Sequence, residues 1–290
     1  MKFIVSALVI LLVASCTKGF LTDRVSSQYE LADNLNNLAG LFNNDDLMAQ
    51  TPVMGEQSGD DHYMTDNFFN KLKPEDQNIY IWKKEIFEGK TGIPDWDLPY
   101  SQIFTANLVL DGLKKITPGA VYQQQWNEIK GNALFFRSYA LFNLLQVFAK
   151  AYDSTTADKD FGLPIPLEAN TEIIPARSSI KETYRRIIAD LTEALPLVIP
   201  TISPLIRNKP NKPAVYALLA RVYLSMRNYS LAMAFADSSL HYQSKLIDYK
   251  TLDVDEKYPI TATNEETLYQ SWLITTSNVI QGKVVAGVII

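Results

Sequence analysis

The stretch Ala214–Leu240, AVYALLARVYLSMRNYSLAMAFADSSL, decides how the rest of the chain is read. Apolar and small residues recur at helical spacing through about 214–226 and again through 229–243, with Arg227-Asn228 between the two runs. The segment therefore predicts two helices joined by a tight turn. Ala220 and Tyr223 on the first helix are matched by Tyr229, Ala232 and Ala236 on the second. Antiparallel helices approach closely only where small side chains meet, and tyrosines fill the grooves beside them.

This alternation of small and large residues matches the tetratricopeptide helix pair, whose period is about 34 residues and which stacks into concave surfaces. A plain helical hairpin is the simpler alternative for this segment taken alone. Moving toward the N-terminus, Ser179 and Glu182 have the spacing of a capping box. Ile180, Tyr184, Ile187, Ile188, Leu191 and Leu195 then form one apolar stripe that Pro196 closes. Residues 121–150 form the most apolar helix, with Trp126, Ile129, Ala133, Phe136, Tyr139, Ala140, Leu144, Val147 and Phe148 on more than one face. A helix apolar on several faces is buried between others.

Before it, Tyr100, Ile103, Phe104, Asn107, Leu108, Leu110 and Leu113 lead to a stop at Thr117-Pro118-Gly119, because proline cannot continue a helix. Tyr29, Leu31, Leu35, Leu38 and Phe42 indicate a further amphipathic helix. Residues 50–78 sustain no period and read as a long loop, of a length that is usually functional or disordered. FGLPIPLEAN at 161–170 is extended, and short β-like runs such as ETLYQSWLI and GKVVAGVII follow Lys245. The expected fold is mainly α: tetratricopeptide-like helix pairs with long loops and few short strands, a divergent array and not a regular solenoid.

The N-terminus carries a different message. Lys2 precedes a largely apolar stretch, Phe3–Val13, and Val13-Ala14-Ser15-Cys16 follows at once. A transmembrane helix needs about 20 apolar residues, so this shorter run reads as a secretory signal. Small side chains at Ala14 and Ser15 admit a peptidase, and the freed Cys16 thiol can be acylated, with palmitate among the attached chains. The arrangement resembles the bacterial lipobox; an ordinary signal peptide with a chance cysteine is the alternative. The expected organisation is a signal peptide over 1–15, a lipidated tether over 16–27 and a helical domain over 28–290.

Composition narrows the function classes. The chain has 290 residues, 47% hydrophobic and 20% charged, enough for a sizeable core. A net charge of −5 without basic clusters argues against a nucleic-acid partner. With Cys16 the single cysteine, acylation would leave no thiol for a disulfide. The two histidines, His62 and His241, come with no Gly-x-Ser-x-Gly elbow and no zinc-ligand spacing, so neither an enzyme nor a cofactor is expected.

Binding a sugar needs less: a flat ring for its C–H face and Asp or Asn side chains for its hydroxyls. Asp60 and Asp61, beside Tyr63, and Trp96, between Asp95 and Asp97, are the candidate ligand-binding residues. Asp60-Asp61-His62 also reads as a metal or glycosidase carboxylate cluster, and better than that as a solvated loop. Trp96 reads equally as a core residue anchoring the helix that follows it.

Taken together, these pieces resemble the SusD/RagB family of nutrient-binding outer-membrane lipoproteins. Cys16 followed by Phe20-Leu21 is similar to the family's lipidated start, and Trp96, Tyr100, Ile103, Ala106 and Asn107 to its W…Y..I..AN helix. Arg137-Ser-Tyr-Ala-Leu-Phe-Asn-Leu-Leu resembles its R-A-Y helix, followed by Gly162-Leu-Pro-Ile-Pro-Leu. Pro175-Ala-Arg-Ser-Ser-Ile-Lys-Glu-Thr-Tyr, Ile187-Ile-Ala-Asp-Leu and Ala217-Leu-Leu-Ala-Arg-Val-Tyr-Leu complete the order.

The resemblance implies capture of an oligosaccharide, or a peptide, for a TonB-dependent outer-membrane β-barrel transporter that the protein caps. It implies the cell outer membrane, lipid-anchored and facing the cell surface, although no acidic run after Cys16 supports display. Family members continue well past the point where this chain stops in Val284–Ile290. The expectation is an N-terminal portion with an incomplete ligand site and an aggregation-prone apolar end. The alternative function is a lipid-anchored tetratricopeptide-like scaffold that binds another protein.

A single acyl chain holds a membrane only marginally, so stable anchoring takes more than one. Metabolic labelling with a fatty acid is expected to mark the wild type and not Cys16→Ser. Equal labelling of both would remove the lipoprotein reading.

Overall fold

A computed structural model describes residues 34–60, 62–203, 207–253, 255–256, 258–261 and 263–274. The signal and tether, the first residues of the helix expected from Tyr29, and the GKVVAGVII run lie outside them. Among the described residues there are ten α-helices and four short strands, the mainly α fold that the periodicity predicts. No helix among them is long and apolar enough to cross a membrane.

The framework is a row of long helices. After α1 (Leu35–Gly40) and a 3-10 turn (Leu41–Asn43) come the short α2 (Asp45–Met48), α3 (Met54–Gln57), α4 (Asp66–Phe69) and α5 (Pro74–Tyr80). The long helices are α6 (Pro94–Leu113), α7 (Gln123–Phe148), α8 (Ile180–Ala194), α9 (Lys212–Ser225) and α10 (Tyr229–Tyr242). Helix α7 buries residues around most of its circumference and is sandwiched between α6 and α8, as its all-round apolar sequence demands. Gly131 permits one close approach there: a Cβ on it would sit 2.9 Å from Leu197 Cβ and 3.0 Å from the Val198 nitrogen.

The sequence puts the start of α6 near Tyr100, but the helix begins at Pro94, where a missing N–H costs nothing in the first turn. Pro99 lies inside it and removes one helical hydrogen bond. The start of α8 follows the capping spacing in part. Ser179 Oγ accepts from the Glu182 N–H at 3.1 Å, while the Glu182 carboxylate turns outward to Arg185 at 2.7 Å. Helices α9 and α10 form the hairpin, turning through Arg227 at φ 59° with Asn228 capping α10. Ala232 is buried and Ala220 and Ala236 are half-buried at this contact, where Tyr223 stacks on Phe235 with ring centroids 5.4 Å apart.

Two small sheets tie distant segments. Strand β2 (Phe161–Pro164) pairs antiparallel with β3 (Arg177–Ser179). Strand β1 (Gln50–Thr51) pairs parallel with β4 (Trp272–Leu273), which returns the end of the described chain to the start of the fold. Beside β4, Tyr269 is fully buried against Phe135 and Tyr139, and the Tyr139 hydroxyl bonds Ser271 Oγ at 2.8 Å.

At the centre, Arg137 of α7 donates to both oxygens of Asp190 of α8, at 2.7 and 2.8 Å, and to Asn107 Oδ1 of α6 at 2.8 Å. Arg186 also donates to Asp190, and Asn107 passes the network on to the Pro166 carbonyl at 2.9 Å. Removing one member of such a buried pair strands the other. Arg137→Leu is expected to lower unfolding stability by about 3–5 kcal/mol in urea titrations, with part of the loss recovered in Arg137→Leu/Asp190→Leu.

Candidate functional site

The stretch 50–78 is more ordered than a loop reading suggests. It holds β1 and three short helices, of which α4 is capped by the Thr65 side chain and α5 is opened by Pro74. Its anchor is Asp95, a buried residue at the start of α6, whose Oδ2 accepts from the N–H groups of Val53 and Met54 at 2.9 and 2.8 Å. Those bonds favour the ionised form, but burial outweighs them and raises the carboxyl above its usual range. Gln102 adds a second brace, donating to the Leu47 and Gln50 carbonyls at 2.7 Å each.

On this frame α3, α5, residues 81–92 and the end of α7 enclose a groove of about 380 Å³. Its walls include Met54, Ser58, Ile79, Ile86 and Val147, with Gln146 and Lys83 as polar groups. Trp82 stands at its edge, 70% exposed, with its Nε1–H donated to the Ser58 carbonyl at 2.8 Å. An exposed indole is usually mobile; this bond fixes the plane of the ring. The backbone is fixed too. Trp82 has φ 54° and Glu88 φ 49°, two of the three non-glycine left-handed residues among those described.

Such conformations cost about 1–3 kcal/mol each and persist where the surroundings hold them, typically at functional sites. Here Asn78 donates to the Ile86 carbonyl at 2.9 Å, and Lys83 pairs with Glu88 at 2.6 Å, which lowers the Glu88 carboxyl below its usual range. The arrangement offers a rigid aromatic face, an apolar groove and a few polar groups. That is the chemistry of a binding surface.

The structure separates the residues that the sequence points to. Asp60 is exposed, two residues beyond the Ser58 carbonyl that holds Trp82. Tyr63 is also exposed, and Asp61 lies outside the described residues. Trp96 is half-buried on α6, with Tyr100 and Phe148 rings 4.8 and 5.0 Å from its own, and it does not line the groove. Sequence reasoning passes over Trp82. Its one signal is a tryptophan in IYIWKKEIF, where the apolar period of α5 gives way to charge.

Comparison with known proteins follows the same outline. A family model described as SusD-like, "starch-binding associating with outer membrane", matches residues 16–224. Among solved structures, a protein from Bacteroides vulgatus described as sugar binding is 25% identical, with a TM-score of 0.66 over 82% of this chain and 54% of its own. A SusD superfamily protein from Bacteroides thetaiotaomicron is 20% identical, with a TM-score of 0.59 over 84% of this chain and 52% of its own. One from Bacteroides fragilis is 17% identical, with a TM-score of 0.64 over 84% and 58%. The chain thus spans about half the length of the first of these structures. No curated protein sequence matches it.

Because folding raises the Asp95 pKa, the folded state binds more protons than the unfolded state as pH falls below neutral, and this residue's contribution to stability grows on acidification. Asp95→Asn does not titrate. Unfolding measured from neutral to mildly acidic pH is expected to show the wild type gaining on the variant; a constant difference would contradict the raised pKa.

The family match over most of the chain, the shared helical architecture and the order of the elements lead to one identification: the chain belongs to the SusD-like family, described as starch-binding and associating with the outer membrane.

Proposed function

We propose that this chain is a lipoprotein of the outer membrane, anchored through Cys16, which captures an oligosaccharide and passes it to a TonB-dependent β-barrel transporter without altering it. The observation that carries the binding reading is Trp82: an indole held exposed by a strained backbone and a hydrogen bond, at the edge of a 380 Å³ groove. A sugar ring stacks its C–H face on such a surface, and Asp60, exposed near the Ser58 carbonyl, is suited to its hydroxyls. Trp96 then has a packing role, its ring set edge-on against Phe148, the neighbour in sequence of the groove residue Val147.

Membership in a family described as starch-binding supports a glycan over a peptide, and the sugar-binding description of the Bacteroides vulgatus structure points the same way. Anchoring and hand-off rest on the lipobox at Val13–Cys16 and on the family resemblance. They also fit a site that binds without an acid–base pair to turn the ligand over.

Trp82→Ala is expected to weaken binding of starch oligosaccharides at least tenfold, about 1.4 kcal/mol, in affinity electrophoresis or calorimetry. Its melting temperature should not fall, since the exposed ring supports little of the core. The same incubations should release no reducing ends. Unchanged affinity in Trp82→Ala, or steady product release by the wild type, would overturn the reading.

A further inference from the structure

A second groove, of about 310 Å³, follows one face of α7 past Trp126, Lys130, Leu134 and Arg137, between the end of α6 and α8. It shares no residue with the Trp82 groove. Leu110 and Leu113 of α6 supply apolar wall, and so does Leu167 from the segment after β2, which is half exposed. The Trp126 ring is held in place by Lys130, whose Nζ lies 5.3 Å from its centroid.

The charges of this groove do not balance. Lys114 pairs with Asp111 and Lys130 with Glu193, each at 2.7 Å and each one cation to one carboxylate. Arg137 and Arg186, however, share the single carboxylate of Asp190. The lining cations and the acids they pair with are thus four against three, a local surplus of one positive charge in a chain whose net charge is −5.

The surplus falls on Arg186. Arg137 uses Nε and both terminal nitrogens on Asp190 and Asn107. Arg186 gives Asp190 a bond from Nη2, while its Nε–H is buried and donates to no group among the described residues. Buried donors are normally satisfied, and a charged one without an acceptor is costly, so this one is matched to an acceptor that enters from outside. The Arg186 side chain as a whole is 26% exposed and lines the groove, which gives a ligand access to it.

We infer that this groove binds a small apolar monocarboxylate, with its carboxylate against Arg186 and its hydrocarbon body on Leu110, Leu113, Leu167 and Trp126. One surplus charge calls for a monoanion, and the planar guanidinium pairs well with a planar carboxylate. The leucines give a hydrocarbon body a place that a bare inorganic anion leaves empty. The volume, at the small end for ligand sites, suits a short alkyl chain or one aromatic ring. This inference does not depend on the Trp82 reading.

The experiment is calorimetric titration of the full chain with octanoate and with phenylpropionate, with acetate and octanol as controls for the head and the tail. The wild type is expected to bind at least one of the two probes at least tenfold more tightly than either control, and to melt at a higher temperature in its presence. Arg186→Met removes the surplus charge, and Leu167→Glu sets a like charge among the ligand's contacts. Each should weaken binding of that probe at least tenfold, and Trp82→Ala should keep it.

The proposal is overturned if neither probe binds the wild type, or if acetate or octanol binds as tightly as they do. It is also overturned if folded Arg186→Met holds the probe as tightly as the wild type. Should Arg186→Met not fold, equal binding by Leu167→Glu, a change at an exposed position, overturns it instead. Loss only in Trp82→Ala overturns this site and leaves the Trp82 reading standing. Loss only in the two groove variants supports this site, whatever the fate of oligosaccharide binding at Trp82.

Discussion

Asp190 is fully buried, and both of its carboxylate oxygens face the guanidinium of Arg137. A lone carboxylate in that position is not tolerable, so α7 and α8 must meet in the one register that brings the two groups together. The planar fork of arginine makes the demand directional, because two parallel bonds form only at one angle and one height. Asn107 carries the constraint to α6, and through the Pro166 carbonyl it fixes the extended segment that leaves β2. Apolar packing between these helices would allow sliding by a turn; the polar network does not.

The rest of the fold hangs from this three-helix centre. The N-terminal helices lie against α6 and α7, and Asp95 and Gln102 hold the chain from α2 to α3 through the N–H groups of Val53 and Met54 and the carbonyls of Leu47 and Gln50. At the other end, Asn211 caps α9 and also donates to the Leu268 carbonyl at 2.9 Å, drawing residues 267–271 into the core. The family match ends at residue 224, but Tyr269 is packed on the rings of Phe135 and Tyr139. The structural unit therefore extends beyond the match.

This rigid centre explains how strain is held at the periphery. Left-handed backbone at Trp82 and Glu88 is tolerated because each end of the segment is tied to a braced element, α5 through Asn78 and α6 through Asp95. An exposed tryptophan on a floppy loop loses conformational entropy when it binds a ligand. One already oriented by its own hydrogen bond loses less, which is the advantage of preorganisation.

Much of this was legible in the chain. The stripe from Ile180 to Leu195, the all-round apolar helix over 121–150 and the paired helices around Arg227-Asn228 each declare themselves by period, because a helix repeats its environment every few residues. Membership in the family followed from motifs in order. What the sequence could not determine was everything created by residues far apart in the chain. Arg137 and Asp190 are 53 positions apart, β1 and β4 more than 200, and no local pattern links them. Trp96 and Trp82 look alike as letters, yet one is packed against Tyr100 and Phe148 and the other is held at the edge of a groove. Burial and orientation are properties of the space between elements, and only the tertiary structure decides them.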